Sequence, residues 1–309
     1  MGQHTYGPVP SRRLGRSLGV DLVPMKTCSL NCVYCQLGPT PETTAERADY
    51  VPVDEIVAEV RQVLAAGADP DYVTLGGSGE PTLHRSFGEI GGRLRDFTDV
   101  PLALLTNGTL FWIPEVRAAC APLDLILPSL DACDEETFRR VNRPHDSITL
   151  ERLVSGLEAL RDEFTGQIWL EVFVIEGMNA GDEQIAAIRD QIERIRPERI
   201  QLNTAVRPTA EQDVKAPRSE RLEAICAMLG PRAEIIAPYT PSAETSGARA
   251  RKEEVLAMLQ RRPCTMADIA DGLAIHRNEA IKYVQSLLNE GAIHVRQRLY
   301  DTFYEAAGS

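Results

Sequence analysis

The sequence has no long apolar run and no start typical of exported proteins. No stretch of about 18 apolar residues occurs in the chain, which predicts that no helix spans a membrane. Residues 1–4 carry neither the basic charge nor the apolar core that opens a secretory signal peptide. We therefore expect a cytoplasmic protein without a membrane partner, in a reducing compartment where cysteines bind metals more often than they form disulfides.

Lysine is also scarce, and acidic residues outnumber basic ones. Lys and Arg together number 33 against 45 Asp and Glu, which gives a formal net charge of -12. Lysine occurs at only four positions, Lys26, Lys215, Lys252 and Lys282. Because an acidic chain repels polyanions overall, this composition weighs against general nucleic-acid binding, although it leaves room for a local basic patch.

Three of the seven cysteines are grouped, at Cys28, Cys32 and Cys35. Such short spacing lets one loop wrap a single metal centre, and thiolates are the soft ligands that iron–sulfur clusters need. Structural zinc sites usually take four ligands, often from paired cysteines, and no fourth ligand lies nearby in the sequence. The group therefore favours a [4Fe-4S] cluster held by three cysteines, with one iron left open.

Strand and helix patterns alternate through most of the chain. Strands are predicted at residues 18–23, 72–75, 102–105, 124–131, 168–175 and 199–204, with a short one at 234–236. Residues 8–17 are predicted to be irregular, because Pro and Gly interrupt any period. Alternating strands and helices form βαβ units with a parallel sheet. Since six units are too few for a closed eight-stranded barrel, we predict an α/β fold, a partial (β/α)6 TIM-like barrel.

A smaller unit is predicted after a polar linker. Residues 1–240 form the barrel, residues 241–250 the linker, and residues 251–309 three helices and a hairpin that resemble a winged helix-turn-helix. A nucleic-acid reader would carry positive charge on the third helix and the wing, where the sequence has Arg277, Lys282, Arg296 and Arg298. Acidic neighbours dilute this charge, so peptide recognition and packing between the domains remain alternatives.

Polar residues follow the predicted strands, at the ends where parallel barrels carry their chemistry. They are Gly77, Gly79 and Glu80 after the second strand, Asn107 after the third, Ser129 and Asp131 at the fourth, Glu171 in the fifth and Asn203 in the sixth. A carboxylate at a glycine-rich strand end is suited to hold an ammonium group, and buried polar groups require partners. Ser129 and Asp131 would equally serve as a helix N-cap, and Asn107 as a turn former.

An arginine cluster, Arg12, Arg13 and Arg16, lies near the start of the chain. Arginine binds carboxylates and phosphates in a forked geometry, and it also forms ordinary surface ion pairs. Both interpretations remain open from the sequence.

The spacing C-x3-C-x2-C, with Tyr34 before the last cysteine, resembles that of the radical S-adenosylmethionine (SAM) enzymes. Within that superfamily the chain resembles the iron–sulfur oxidoreductases related to the wybutosine-tRNA enzyme, through the segments PSRRLGRSLG, CSLNCVYCQ, GSGEPTLH and LDA. The resemblance covers residues 6–210. It departs from the wybutosine enzyme itself, because this chain has no second cysteine set, no lysine-rich surface for tRNA, and an appended winged unit.

The resemblance implies roles for the candidate residues. Cys28, Cys32 and Cys35 would hold a [4Fe-4S] cluster, and the Gly-Glu motif with Glu80 would hold the amino group of SAM. Tyr34 would lie near the adenine. The remaining candidates for contacts with SAM or the substrate are Gly77, Gly79, Asn107, Ser129, Asp131, Glu171 and Asn203.

The resemblance also implies an activity. An electron from a low-potential donor of the flavodoxin or ferredoxin type cleaves SAM, and the resulting 5′-deoxyadenosyl radical abstracts hydrogen from a substrate. The sequence leaves that substrate open among a small molecule, a tRNA base and a peptide, the last two reached through the winged unit. Two alternatives are an activase of a glycyl-radical enzyme and an iron–sulfur-sensing DNA-binding regulator.

Overall fold

Eight strands form one sheet whose strand order follows the chain. A computed structural model describes residues 4–205, 210–211, 213–236, 246–261, 263–273, 275–298 and 301–307. The strands are β1 (Thr5–Ser11), β2 (Gly15–Val20), β3 (Tyr72–Leu75), β4 (Leu102–Leu105), β5 (Leu125–Leu127), β6 (Gln167–Val174), β7 (Arg199–Thr204) and β8 (Ala233–Ile235). β1 is antiparallel to β2, and every later neighbouring pair is parallel. The predicted α/β class with a mostly parallel sheet is confirmed.

Helices connect the parallel strands and cover the sheet. They are α1 (Val53–Ala65), α2 (Phe87–Arg95), α3 (Pro114–Ala118), α4 (Glu135–Val141), α5 (Leu150–Glu163), α6 (Asp182–Ile195) and α7 (Ser219–Leu229), with a short 3-10 helix at Pro81–Leu83. Each of the longer helices buries one apolar stripe, such as Ile185, Ile188 and Ile192 in α6. Thr149 is the N-cap of α5, since its side chain accepts from the Arg152 backbone N–H.

The N-terminal prediction of an irregular segment is wrong. Residues 5–11 form an edge strand that pairs with β2, and the register shifts between Tyr6 and Val9, around Gly7 and Pro8. An edge position with a bulge accommodates proline, because its missing N–H is not needed by a second neighbour. The first parallel strand also ends earlier than predicted, at Val20, and Asp21 turns to accept hydrogen bonds from Ser78.

The last part of the chain, residues 246–307, forms what we call the C-terminal unit. It contains α8 (Ser246–Arg261), α9 (Met266–Gly272), α10 (Arg277–Asn289) and a small antiparallel sheet of β9 (Cys264–Thr265), β10 (Ile293–Arg298) and β11 (Asp301–Ala306). Its own hydrophobic cluster includes Val255, Ile269 and Val284. α8 begins inside the segment predicted as a linker, of which residues 241–245 lie outside the described residues. In the part of the chain that the structure describes, no helix has both the length and the apolar character needed to cross a bilayer.

Candidate functional site

A cavity of about 350 Å³ lies beyond the carboxyl ends of the parallel strands. Eleven of the twelve predicted site residues line it: Cys28, Cys32, Tyr34, Cys35, Gly77, Gly79, Glu80, Asn107, Ser129, Glu171 and Asn203. Asp131 does not line the cavity but lies behind its wall, 2% exposed. Strand polarity thus brings together motifs that are far apart in the sequence, as expected for a parallel sheet.

The loop after β2 presents its three cysteines to this cavity, and each sulfur has a nitrogen donor. Lys26 Nζ lies 3.1 Å from Cys35 Sγ, Asn107 Nδ2 3.6 Å from Cys28 Sγ, and Asn142 Nδ2 3.6 Å from Cys32 Sγ. Donors of this kind stabilise negative charge on sulfur, which suits thiolates that bind a metal. Asn142 follows α4, and the sequence did not single it out.

Burial keeps two of these thiols protonated when no metal is bound. It raises the pKa of Cys28 to about 12, with a further rise from Glu80, and it raises the pKa of Cys32 as well. A coordinated metal reverses this preference, because it deprotonates a thiol outright. Among the described residues, no group of three or more His, Cys, Asp or Glu converges on a single ion. A cube-shaped cluster does not require such convergence, because each cysteine binds a different iron.

Glu80 is a buried carboxylate held by four donors. Its Oε1 accepts from the Thr82 backbone N–H and the hydroxyls of Thr82 and Thr106, and its Oε2 accepts from the Asn107 backbone N–H at 2.7 Å. Burial raises the pKa of Glu80, while these hydrogen bonds oppose the rise. Oε2 has one protein donor, so it retains the capacity to accept from a ligand.

The glycines of this motif allow close packing within the protein. A Cβ on Gly77 would lie 2.1 Å from Asp21 Oδ1, and a Cβ on Gly79 would lie 2.1 Å from the Thr27 carbonyl oxygen. Both glycines line the cavity, yet the direction in which a side chain would project is filled by protein atoms. They let the turn after β3 pack against the segment that leads into the cysteine loop.

Tyr34 is fixed from two sides. Its ring stacks on Phe173 with a centroid distance of 3.9 Å, and its hydroxyl donates to Asp131. Asp131 also accepts from the Phe173 backbone N–H and from Asn142 Nδ2, each at 2.8 Å. Neither Ser129 nor Asp131 caps α4, because Asp134 is the N-cap and accepts from the Thr137 N–H. The contacts of Asp131 therefore position Tyr34.

The unfolding free energy should depend on pH through Asp131, whose pKa burial raises from 3.8 to about 6. Between these values the folded state binds more protons than the unfolded state, so stability falls as pH rises through the window. In Asp131→Asn that decrease should be absent. Between about pH 4 and pH 7 the wild type should therefore lose roughly 3 kcal/mol more of its unfolding free energy than the variant does. The metal-free protein should be unfolded with denaturant at several pH values.

Asp134→Asn is the control for this measurement, because Asp134 should change the unfolding free energy with pH in the opposite direction. Hydrogen bonds from Thr137 lower the pKa of Asp134, so its contribution to stability is lost as pH falls. An Asp131→Asn variant that kept the wild-type pH slope would contradict the assignment.

The turn between β1 and β2 reaches across the cavity to β6 and β7. Arg13 forms an ion pair with Glu171, and Arg12 Nη2 lies 3.2 Å from Asn203 Oδ1. These contacts join one edge of the sheet to strands near its other edge, so the sheet is curled in the manner of a TIM-like barrel. Burial, followed by the charge of Arg13, lowers the pKa of Arg12. Arg16 lies elsewhere, in a surface pair with Asp69.

α10 supplies the remaining part of the wall, through Asn278, Ile281 and Lys282. Sequence reasoning missed Asn278 and Ile281 as site residues, and it left Lys282 open among nucleic-acid binding, peptide recognition and packing between the domains. The available signal was their spacing of i, i+3 and i+4, which places all three on one helix face. Because two of these three positions are polar, the sequence of this face is also typical of a helix face exposed to solvent. The pattern alone therefore did not indicate burial.

Comparisons with known proteins indicate the family of this chain. The sequence model described as the Radical SAM superfamily matches residues 22–192. A protein of Brachyspira hyodysenteriae named GTPase Obg is 35% identical over 299 residues, which are 94% of this chain and 43% of that protein. This chain thus spans less than half of the length of that relative. A UPF0026 protein of Helicobacter pylori (strain J99) is 31% identical over 301 residues, 94% of each chain.

A solved structure also shows the fold. The crystal structure of a radical SAM methyltransferase from Sphaerobacter thermophilus has a TM-score of 0.53 at 17% identity, covering 71% of this chain and 65% of that one. At this identity the likeness concerns the fold alone. The family match over more than half of the chain shows that this chain belongs to the radical SAM superfamily, whose members are enzymes that use a [4Fe-4S] cluster and SAM.

Proposed function

We propose that this protein binds a [4Fe-4S] cluster through Cys28, Cys32 and Cys35 and uses it to cleave SAM reductively. The observation that carries the proposal is that three thiols of one loop and the buried carboxylate of Glu80 line the same cavity. When bound, the cluster supplies an electron that splits the sulfonium of SAM into methionine and a 5′-deoxyadenosyl radical, which takes a hydrogen atom from a substrate carbon.

The residues around the sulfurs fit a cluster. Lys26, Asn107 and Asn142 each direct a nitrogen donor at a different cysteine sulfur, so electron density on the three ligands is stabilised from three sides. Hydrogen bonds and nearby charge set the reduction potential of iron–sulfur clusters. A low-potential donor of the flavodoxin or ferredoxin type remains our proposal for the electron source.

The opposite wall fits the amino acid and nucleoside parts of SAM. Glu80 Oε2 would accept a hydrogen bond from the ammonium group, which offsets the cost of burying the carboxylate. The stacked rings of Tyr34 and Phe173 offer an apolar surface for the adenine. Asn107, Ser129, Glu171 and Asn203 are the further polar groups that we propose to contact SAM or the substrate. Together these walls orient the reactants and exclude water.

The order of elements in the C-terminal unit supports the winged-helix proposal. Three helices, a short strand between the first two and a terminal hairpin follow one another as in a winged helix-turn-helix. We propose that this unit packs on the barrel and does not read nucleic acid, because its third helix, α10, lines the cavity. This placement disfavours the DNA-binding regulator. The wing residue Arg298 has a side chain outside the described part of the structure.

Removing the charge of Lys26 should lower the reduction potential of the reconstituted cluster. The ammonium group beside Cys35 stabilises the more negative, reduced state, and Lys26→Gln keeps a donor of similar length without the charge. A redox titration followed by electron paramagnetic resonance measures the change, with Lys215→Gln at an exposed position as the control. Equal potentials in Lys26→Gln and wild type would contradict the proposed contact.

Anaerobic reconstitution tests the function directly. The protein is supplied with iron and sulfide, reduced with dithionite in the presence of SAM, and assayed for 5′-deoxyadenosine and methionine by mass spectrometry. We expect both products in equal amounts. A protein with a full cluster content that yields neither product would refute the proposal, and so would a protein that takes up zinc alone.

A further inference from the structure

α10 is packed on two sides. Ala280, Val284 and Leu287 belong to the hydrophobic cluster of the C-terminal unit. Asn278 and Ile281 point the other way and line the cavity, and each is only 8% exposed. The helix is therefore enclosed between the barrel and its own unit, and the face that a winged-helix reader would present to a nucleic-acid groove is covered by protein.

Specific contacts hold the start of α10 on the barrel. His276 stacks on Tyr6 with a centroid distance of 4.6 Å, and its Nε2 lies 2.5 Å from Asp21 Oδ2. The same carboxylate accepts from the Ser78 N–H and hydroxyl in the glycine-rich turn. This shared partner fixes α10 relative to the turn that carries Glu80.

Among the described residues that line the cavity, the cations Arg12, Arg13 and Lys282 outnumber the carboxylates Glu80 and Glu171. Both carboxylates on its wall already have protein partners, since Glu80 accepts from four donors and Glu171 pairs with Arg13. Arg12 Nη1 is buried without a hydrogen-bond partner. Arg12 shares the charge of Glu171 with Arg13, so two guanidinium groups face one carboxylate. Lys282 lies on the same wall. A bound anion would balance the second guanidinium and accept from its buried N–H groups.

The amide of Asn278 is a second unmatched group. Its Nδ2 is buried beside the Tyr6 hydroxyl and makes no hydrogen bond of standard geometry. Asn278 lies in the first turn of α10, where the helix dipole favours negative charge. Donors from α10 and from the β1–β2 turn thus face one cavity in a chain whose net charge is -12.

We propose that the C-terminal unit completes the active site, and that Lys282 and Arg12 bind a carboxylate or phosphate group of a small-molecule substrate. The inference rests on the proposed function, because it assigns the substrate side of the same cavity. The volume of about 350 Å³ is near the lower end of the range for small-molecule sites, roughly 300–1,000 Å³. A structured tRNA or a DNA duplex would have to displace α10 to enter.

Anion binding to the reconstituted protein with SAM tests the inference. Succinate, inorganic phosphate and the uncharged succinamide are titrated by calorimetry, and hydrogen exchange of residues 277–289 is followed in parallel. Succinate or phosphate should bind and slow exchange in α10, whereas succinamide should not. Lys282→Gln and Arg12→Gln should each weaken anion binding by at least about tenfold while changing SAM affinity by less than about threefold.

Lys252→Gln is the matched control, because Lys252 pairs with Glu290 on the outer side of the C-terminal unit. Unchanged anion affinity in Lys282→Gln would overturn the inference. So would a loss of SAM affinity in place of anion affinity, since that would assign the cations to the carboxylate of SAM. Tighter binding of tRNA or duplex DNA than of succinate would overturn it as well.

The two proposals fail in different ways. Absence of 5′-deoxyadenosine from the wild-type protein refutes the proposed function, whatever the anions do. Formation of 5′-deoxyadenosine with anion affinities that are equal in wild type, Lys282→Gln and Arg12→Gln refutes only the assignment of the C-terminal unit to the substrate site.

Discussion

Cys32→Ala should abolish the formation of 5′-deoxyadenosine and leave the reconstituted protein with little cluster. Cys32 is the middle cysteine of the loop, and its sulfur receives a hydrogen bond from Asn142 at 3.6 Å. Since the proposed cluster is held by three thiolates, alanine removes one of three covalent attachments. Among the described residues, no fourth cysteine lines the cavity to replace it. Iron and sulfide content, together with product analysis, measures the effect.

Cys226→Ala provides the control for this result. Cys226 lies on α7, where its thiol contacts the Ala233 carbonyl oxygen at 3.3 Å, away from the cavity. Its replacement should leave cluster content and product formation close to the wild-type values. Full activity in Cys32→Ala would contradict the proposed ligand set, and equal losses in both variants would indicate a general effect on folding.

Glu80→Gln should weaken SAM binding by at least about tenfold, because it removes the negative charge proposed to hold the ammonium group. The new amide nitrogen would also face the Asn107 backbone N–H, which now donates to Glu80 Oε2. A lost hydrogen bond of this kind costs about 1–3 kcal/mol of stability. Equilibrium dialysis with SAM and thermal unfolding are therefore measured on the same sample.

Thr106→Val separates the two effects. The Thr106 hydroxyl donates to Glu80 Oε1 at 2.6 Å, so valine removes one of its donors but keeps the carboxylate charge. This variant should lose stability while SAM affinity stays within about threefold of the wild-type value. If Glu80→Gln bound SAM as tightly as the wild type, the assignment of Glu80 to the ammonium group would be wrong.

The strand-end residues were predictable because their positions follow from local patterns. Short apolar runs identify the strands, and parallel strands share an edge, so Cys28, Glu80 and Asn203 had to meet. β7 occupies the predicted residues, 199–204. These features depend on neighbouring residues and on one topological rule.

The contacts of α10 were not predictable in the same way. His276 and Asp21 are more than 250 residues apart, and nothing in either neighbourhood indicates the pairing. The periodic apolar residues of α10 indicate one buried face, whereas Glu279, at 1% exposure, shows that polar residues are buried too. Such burial depends on a second packing partner, which local periodicity does not report. β1 was missed for a related reason, since only its place at the sheet edge permits Pro8.

The enclosure of α10 has a consequence for cooperativity. A helix that packs on both the barrel and its own unit links their stabilities, because detaching it exposes buried residues on both of its sides. The barrel and the C-terminal unit should therefore melt in a single transition rather than as independent bodies. The contact of Tyr6 with His276 extends this linkage to β1, the strand at the edge of the large sheet.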